Sequence, residues 1–272
     1  MPSLQLIFDL ARSSATVVFL LYASWSDYKT REVSNRVWIL FGPTAFGLTM
    51  AELLLYDTSD LIAYAACFGL TAGFAILLFY SGGFGGADAK ALMCLALALP
   101  FYPSGLLAPL SGEVSLISKN FFPITVFTNS VLFAAFTAVA LLVYNVTRRL
   151  RTGEKLFQED LGKESIGKKI LVLLTGYKVP VEELKEKWHV YPMEDAERDQ
   201  QNVLRRRLII LPRDEGRTEV VERLDDSIKK GAIPNKVWAT PGLPMLIFIF
   251  AGLITALFFG DIVWICIRLI LR

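Results

Sequence analysis

Six long stretches of this chain are nearly free of charge: Leu4 to Trp25, Val37 to Tyr56, Leu61 to Tyr80, Ala91 to Leu110, Pro123 to Val146 and Leu243 to Leu269. A helix needs about 20 such residues to cross a hydrocarbon core ~30 Å thick, so each is long enough to span a bilayer. The first run leads straight into a charged loop and further spans, and is therefore read as a span and not as a cleaved leader. With 54% hydrophobic residues the chain is far from an average soluble domain. The net charge of +2 conceals a division, because 20 of the 28 Lys+Arg and 17 of the 26 Asp+Glu lie between Arg148 and Lys236. The expected fold is an α-helical integral membrane protein of six transmembrane helices, with a small mixed α/β domain inserted before the last. Its parts are a membrane bundle of spans one to five (1–147), a soluble domain (148–236) and a final transmembrane helix (237–272).

Within the insert, "ESIGKKILVLL", "VPVEELKEKW" and "TEVVERLDDSIKKG" have helical spacing, and "RRRLIIL", bounded by Pro212, suits a strand. Its balanced charge argues against a nucleic-acid partner, and "RRRL" reads as a solvated face or an interface rim. Short-loop Lys and Arg set orientation. Lys29, Arg31 and Arg36 follow the first apolar run, Lys90 follows the third, and Arg148, Arg149 and Arg151 follow the fifth. These junctions, and the insert with them, are expected on the cytoplasmic side of a multi-pass cell-membrane protein.

Elimination narrows the chemistry. His189 is the one histidine and lies in the insert, which leaves neither a Ser–His dyad near the spans nor an HExxH zinc site. It is read as a structural or surface residue. Cys67, Cys94 and Cys266 are scattered through apolar runs and read as small buried hydrophobes. With no P-loop and no GxGxxG, no cofactor or metal is expected. Asn145-Val-Thr147 matches a glycosylation sequon but is read as chance.

Carboxylates at the membrane boundary remain. Asp27 closes the first apolar run and Asp88 opens the fourth, within "SGGFGGADAKAL". Two spans separate them, so topology returns both to one face. Two adjacent carboxylates cannot both ionise easily, so one can stay protonated as an acid while the other activates water. Asp88 could instead cap a helix. Gly82, Gly83, Gly85 and Gly86 either clear space for a substrate backbone or let helices pack closely. Asp261 stands about 27 Å along a straight helix from Leu243, on the opposite side, where Asp9 and Glu52 also fall. The rival reading is a non-enzymatic carrier or assembly component using Asp27 and Asp88 as ion or proton sites.

Two elements resemble the GxGD membrane aspartyl proteases, and among them the archaeal preflagellin peptidases, relatives of the type IV prepilin peptidases. One is Gly85-Gly86-Ala87-Asp88-Ala89-Lys90, with Ala87 in place of a glycine. The other runs from Asp27 to Asn35 as "DYKTREVSN", with Ser34 where proline is common. The resemblance implies that Asp27 and Asp88 are catalytic, that Gly85, Gly86, Ala87 and Lys90 support the site, and that no metal takes part. Lys90 would anchor its helix at the headgroups or tune Asp88. It further implies removal of a short basic leader from preflagellins or pilin-like precursors at the cytoplasmic boundary of the lipid bilayer. The four-cysteine zinc element of bacterial prepilin peptidases is missing, which favours the preflagellin branch. The "PNKVWATPGLPMLI" segment is similar to the family's lead into its last helix.

Overall fold

The computed structural model describes residues 4–198, 204–210, 216–242 and 244–271. In chain order the elements are α1 (Leu4–Thr30), α2 (Asn35–Tyr56), α3 (Leu61–Tyr80), α4 (Gly86–Ala98), α5 (Leu116–Asn120), α6 (Phe122–Thr152), α7 (Ile166–Thr175), β1 (Tyr177–Pro180), α8 (Val181–Glu186), β2 (Val190–Pro192), β3 (Glu194–Arg198), β4 (Leu204–Leu208), α9 (Arg217–Lys229), β5 (Lys236–Pro241), α10 (Met245–Phe259) and α11 (Ile262–Ile270). They form two compact units, one of Met1–Ala134 with Pro244–Arg272 and one of Ala135–Leu243. The expected boundary residues Pro212 and Leu243 lie outside the described residues.

The first unit is built around α4. This helix packs against α1, α2, α3 and α10, and Ala91, Leu92, Leu95 and Ala96 have no exposed surface. A helix apolar all round is a core helix. At 13 residues, about 20 Å, it is too short to cross a bilayer. It stops because Leu99 precedes Pro100, which pushes the backbone out of the helical region, to φ −131° and ψ 70°. The expected fourth span, Ala91 to Leu110, is therefore a buried helix followed by a loop. The expected sixth span is also broken. Gly260 takes φ 81°, the Asp261 side chain caps the next helix by accepting from the Trp264 N–H, and α11 leaves α10 at 63°. Among the described residues, α1, α2, α3 with the turn before it, and α6 are long and apolar enough to span. The bent α10–α11 pair makes a fifth if counted as one.

Small side chains set the closest approaches in this unit. A Cβ on Gly252 of α10 would overlap Ser130 Oγ and the Val126 carbonyl of α6. Arg12 is buried, with one guanidinium nitrogen 2.5 Å from Asp9 Oδ1 and 2.6 Å from Glu52 Oε2. Gly105 leaves room for this triad, since a Cβ there would sit 2.9 Å from Asp9 Oδ2. Arg268 pairs with Glu113.

The second unit carries the sheets. β5 pairs antiparallel with β1 and β2, in the order β1-β5-β2, and β3 pairs antiparallel with β4. The expected helices appear as α7, α8 and α9, and the expected strand as β4. Lys236–Pro241 was expected to lead into the final helix but forms the central strand β5, because its partners on both sides complete its backbone hydrogen bonds. Trp238 on β5 is fully buried and stacks on Phe157 with ring centroids 5.1 Å apart.

In the arginine run Arg205 and Arg207 are exposed, as a solvated face would be, and Arg207 donates to Glu197 at 2.8 Å, but Arg206 is buried and donates to Glu194 Oε1 at 2.9 Å. Burial pushes the Glu194 carboxyl up, with Arg206 pulling against it. Arg223 of α9 binds Asp195 through two hydrogen bonds of 3.1 and 2.9 Å. The His189 carbonyl accepts from the Gly242 N–H. Cys67 and Cys94 are buried, as expected; Cys266 is exposed, because α11 buries no residue.

Candidate active site

The Ser81–Leu92 stretch divides its glycines between two jobs. Gly82 takes φ 77° and follows the last turn of α3; its N–H donates to the Phe79 carbonyl, and the Gly83 N–H donates to that of Leu78. This is a Schellman cap, and it requires a left-handed residue where glycine is favoured. Gly85 opens α4. Its N–H donates to Asp88 Oδ2 at 3.0 Å, and a Cβ on it would lie 3.1 Å from the same oxygen. The bare Gly85 backbone therefore holds Asp88 from below. Gly86 has more room, a Cβ there meeting only Phe79 Cε2 at 3.7 Å. Asp88 is the third residue of α4, where its charge also faces the positive end of the helix.

Asp27 sits in the last turn of α1, half-buried, as Asp88 is. The Arg31 N–H donates to the Asp27 carbonyl at 2.9 Å, and Arg31 takes φ 57°, turning the chain sharply after the helix. Ser26 and Thr30 hydroxyls both donate to the Glu32 carbonyl, at 2.8 and 2.9 Å. Ser34, where proline is common in the family, instead accepts from the Arg36 N–H and caps α2. α1 packs on α4, so Asp27 in the last turn of one and Asp88 in the first turn of the other lie on neighbouring helices.

One contact escaped the sequence reading. Lys90 Nζ donates to Asn35 Oδ1 at 2.6 Å, joining the second turn of α4 to the start of α2. Lys90 and Asn35 are the final residues of the two sequence elements, so each element ends in the partner of the other. That pairing was the available signal. The other membrane acids are occupied elsewhere. Asp9 and Glu52 hold Arg12, and Asp261 caps α11 and accepts from Ser115 Oγ at 3.1 Å. Among the described residues no cluster of His, Cys, Asp and Glu could hold a metal ion.

The comparisons with known proteins give the class. Residues 14–141 match the Type IV leader peptidase family, and residues 168–262 match the Archaeal Peptidase A24 C-terminus Type II model. The chain is similar to the preflagellin peptidases of Methanococcus maripaludis (24% identical, covering 89% of this chain and 92% of the relative), Methanocaldococcus jannaschii (25%, 89% and 91%) and Methanococcus voltae (27%, 89% and 92%). Both models are of peptidases, and with its long apolar helices the chain is a membrane-associated peptidase similar to the type IV leader peptidase family.

Proposed function

We infer that the chain is a membrane-embedded aspartic endopeptidase that removes the short basic leader from preflagellins or related pilin-like precursors. The observation that supports the reading is that Asp27, in the last turn of α1, and Asp88, in the first turn of α4, sit on two helices that pack together. One carboxylate, ionised, takes a proton from water as its oxygen attacks the scissile carbonyl carbon. The other, protonated, gives its proton to the carbonyl oxygen. When the carbon–nitrogen bond breaks, a proton passes to the leaving amine and the pair is restored. The two titrate as a unit, so neither is assigned a fixed role. The matches to peptidase models favour this reading over the carrier reading, in which the same acids pass ions.

The basic loops after the first, third and fifth expected spans support a cytoplasmic site. There it would meet a precursor whose basic leader stays in water while its apolar helix lies in the bilayer. Purified protein incubated with a preflagellin tests the reading: leader loss, seen as a mobility shift on a gel, is expected from the wild type.

Two finer predictions follow the geometry of the site. Gly85→Ala, whose new methyl presses on Asp88 Oδ2, lowers kcat by about tenfold to a hundredfold, since misplacing a catalytic group by a fraction of an ångström to 1 Å has that effect. Gly86→Ala is near-neutral, and Gly86→Leu impairs cleavage by running into Phe79. Equal rates for Gly85→Ala and wild type would remove the carboxylate-crowding account. Lys90→Met and Asn35→Ala each break the 2.6 Å bond. A charged hydrogen bond is worth about 1.5–3 kcal/mol, so kcat falls by about tenfold to a hundredfold with KM little changed. Lys90→Arg, keeping a donor, restores part of it. A loss in KM alone would point to substrate contact.

A further inference from the structure

The insert carries a helix whose exposed stripe is apolar. On α7, Ile166 is 75% exposed, Ile170 50% and Leu171 42%, all at helical spacing, while Lys168 and Lys169 are half-buried. Lys168 is held by Glu164 at 2.9 Å and Lys169 by the Gly162 carbonyl at 2.5 Å. A helix facing water would hide its isoleucines; this one leaves Ile166 and Ile170 more exposed than Lys168, whose side chain is 37% exposed.

The place of α7 in the fold says what covers the stripe. Asn145 of α6 is 1% exposed, and its side-chain amide donates to the Leu173 carbonyl at 3.0 Å and to the Gly176 carbonyl at 2.8 Å. The sequon residue is thus a structural clamp that pins the C-terminal end of α7 to α6. Asn145 also lies where α6 leaves the bilayer. The apolar run of α6 ends at Val146, Arg148, Arg149 and Arg151 follow, and Tyr144, 51% exposed, is the kind of residue found at headgroup level. Val143 and Val146 are exposed on α6 beside the clamp. The apolar stripe of α7 therefore continues the lipid-facing surface of a spanning helix.

We propose that α7 is an interfacial helix that rests Ile166, Ile170 and Leu171 on the lipid bilayer at the end of α6. It fixes the insert against the membrane surface at two points, α6 itself and α7. Glu164 pairs with Lys168 of α7, so the contact made by this helix is driven mainly by apolar burial.

The test uses the full chain, with the exposed Cys266 replaced by serine, in nanodiscs loaded with one copy each. An environment-sensitive fluorophore is attached to a cysteine placed at position 166, 170 or 171, and in a control at Glu219 of α9, whose side chain is 78% exposed. Lipids carrying a nitroxide near the headgroup are expected to quench the three α7 probes at least about fivefold more than the control, an effect that falls off steeply with distance. Aqueous iodide shows the opposite order. Equal lipid quenching at α7 and Glu219 would overturn the proposal. So would protection of α7 that appears only in discs holding two copies, which makes a second copy the occupant, or only after a preflagellin is added, which makes the substrate the occupant. The readout is independent of cleavage, so its failure leaves the peptidase reading untouched.

Discussion

Asp27→Asn and Asp88→Asn each abolish leader removal to within about 10²- to 10⁴-fold of the wild-type rate, the range that a positioned acid or base contributes. Asparagine keeps the size of the side chain and removes its capacity to exchange a proton, so the loss reads chemistry and not packing. The double substitution is no worse than the more damaging single one, because groups that act as a unit are not additive. Single-turnover cleavage of a preflagellin by the purified variants measures this, with thermal unfolding as a check that each has folded. Cleavage at the wild-type rate in both single variants removes the aspartic assignment, and full activity in one alone leaves a single acid without its partner. The cleavage rate of the wild type rises and then falls with pH, since one carboxyl must be ionised and the other protonated.

The largest effect on stability falls at the far acids. Arg12→Leu leaves Asp9 and Glu52 buried at 7% exposure each without their counter-charge. Breaking a buried ion pair by removing one partner is destabilising by about 3–5 kcal/mol. Replacing all three at once, with Asp9→Asn, Arg12→Leu and Glu52→Gln, recovers most of that, because no charge is then left stranded. Thermal unfolding in detergent separates Arg12→Leu from the triple variant. Lost stability in the triple variant equal to that of Arg12→Leu would mean that packing, and not charge, is what Arg12 supplies. The same geometry makes Glu52 a poor negative control for cleavage, whereas exposed Glu32 serves well.

Much of this was legible in the residues. Spans one to three and five follow from uninterrupted apolar length, and three helices and one strand of the insert from periodicity and stop signals. The two aspartates follow from the parity of the helices between them. What was missed has physical causes. Apolarity reports removal from water without saying whether lipid or protein does the removing, so α4, enclosed by four helices, was read as a span. A glycine within an apolar run, Gly260, was not read as a break, and only its left-handed backbone reveals one. β5 is made of six residues whose strand character comes from partners about 60 and 50 positions earlier, which no local pattern carries. Lys90 was weighed as an anchor or a tuner because only the fold brings it to Asn35.

The enclosure of α4 bears on how a peptide bond could be admitted between the aspartates. Wedged among four neighbours, Asp88 sits on the part of the molecule least able to give way. Asp27, by contrast, rides the last turn of a helix that ends in a lone left-handed residue, with exposed Tyr28 and Lys29 beside it. In the proposed site one carboxylate thus belongs to an enclosed helix and the other to the exposed tail of the first.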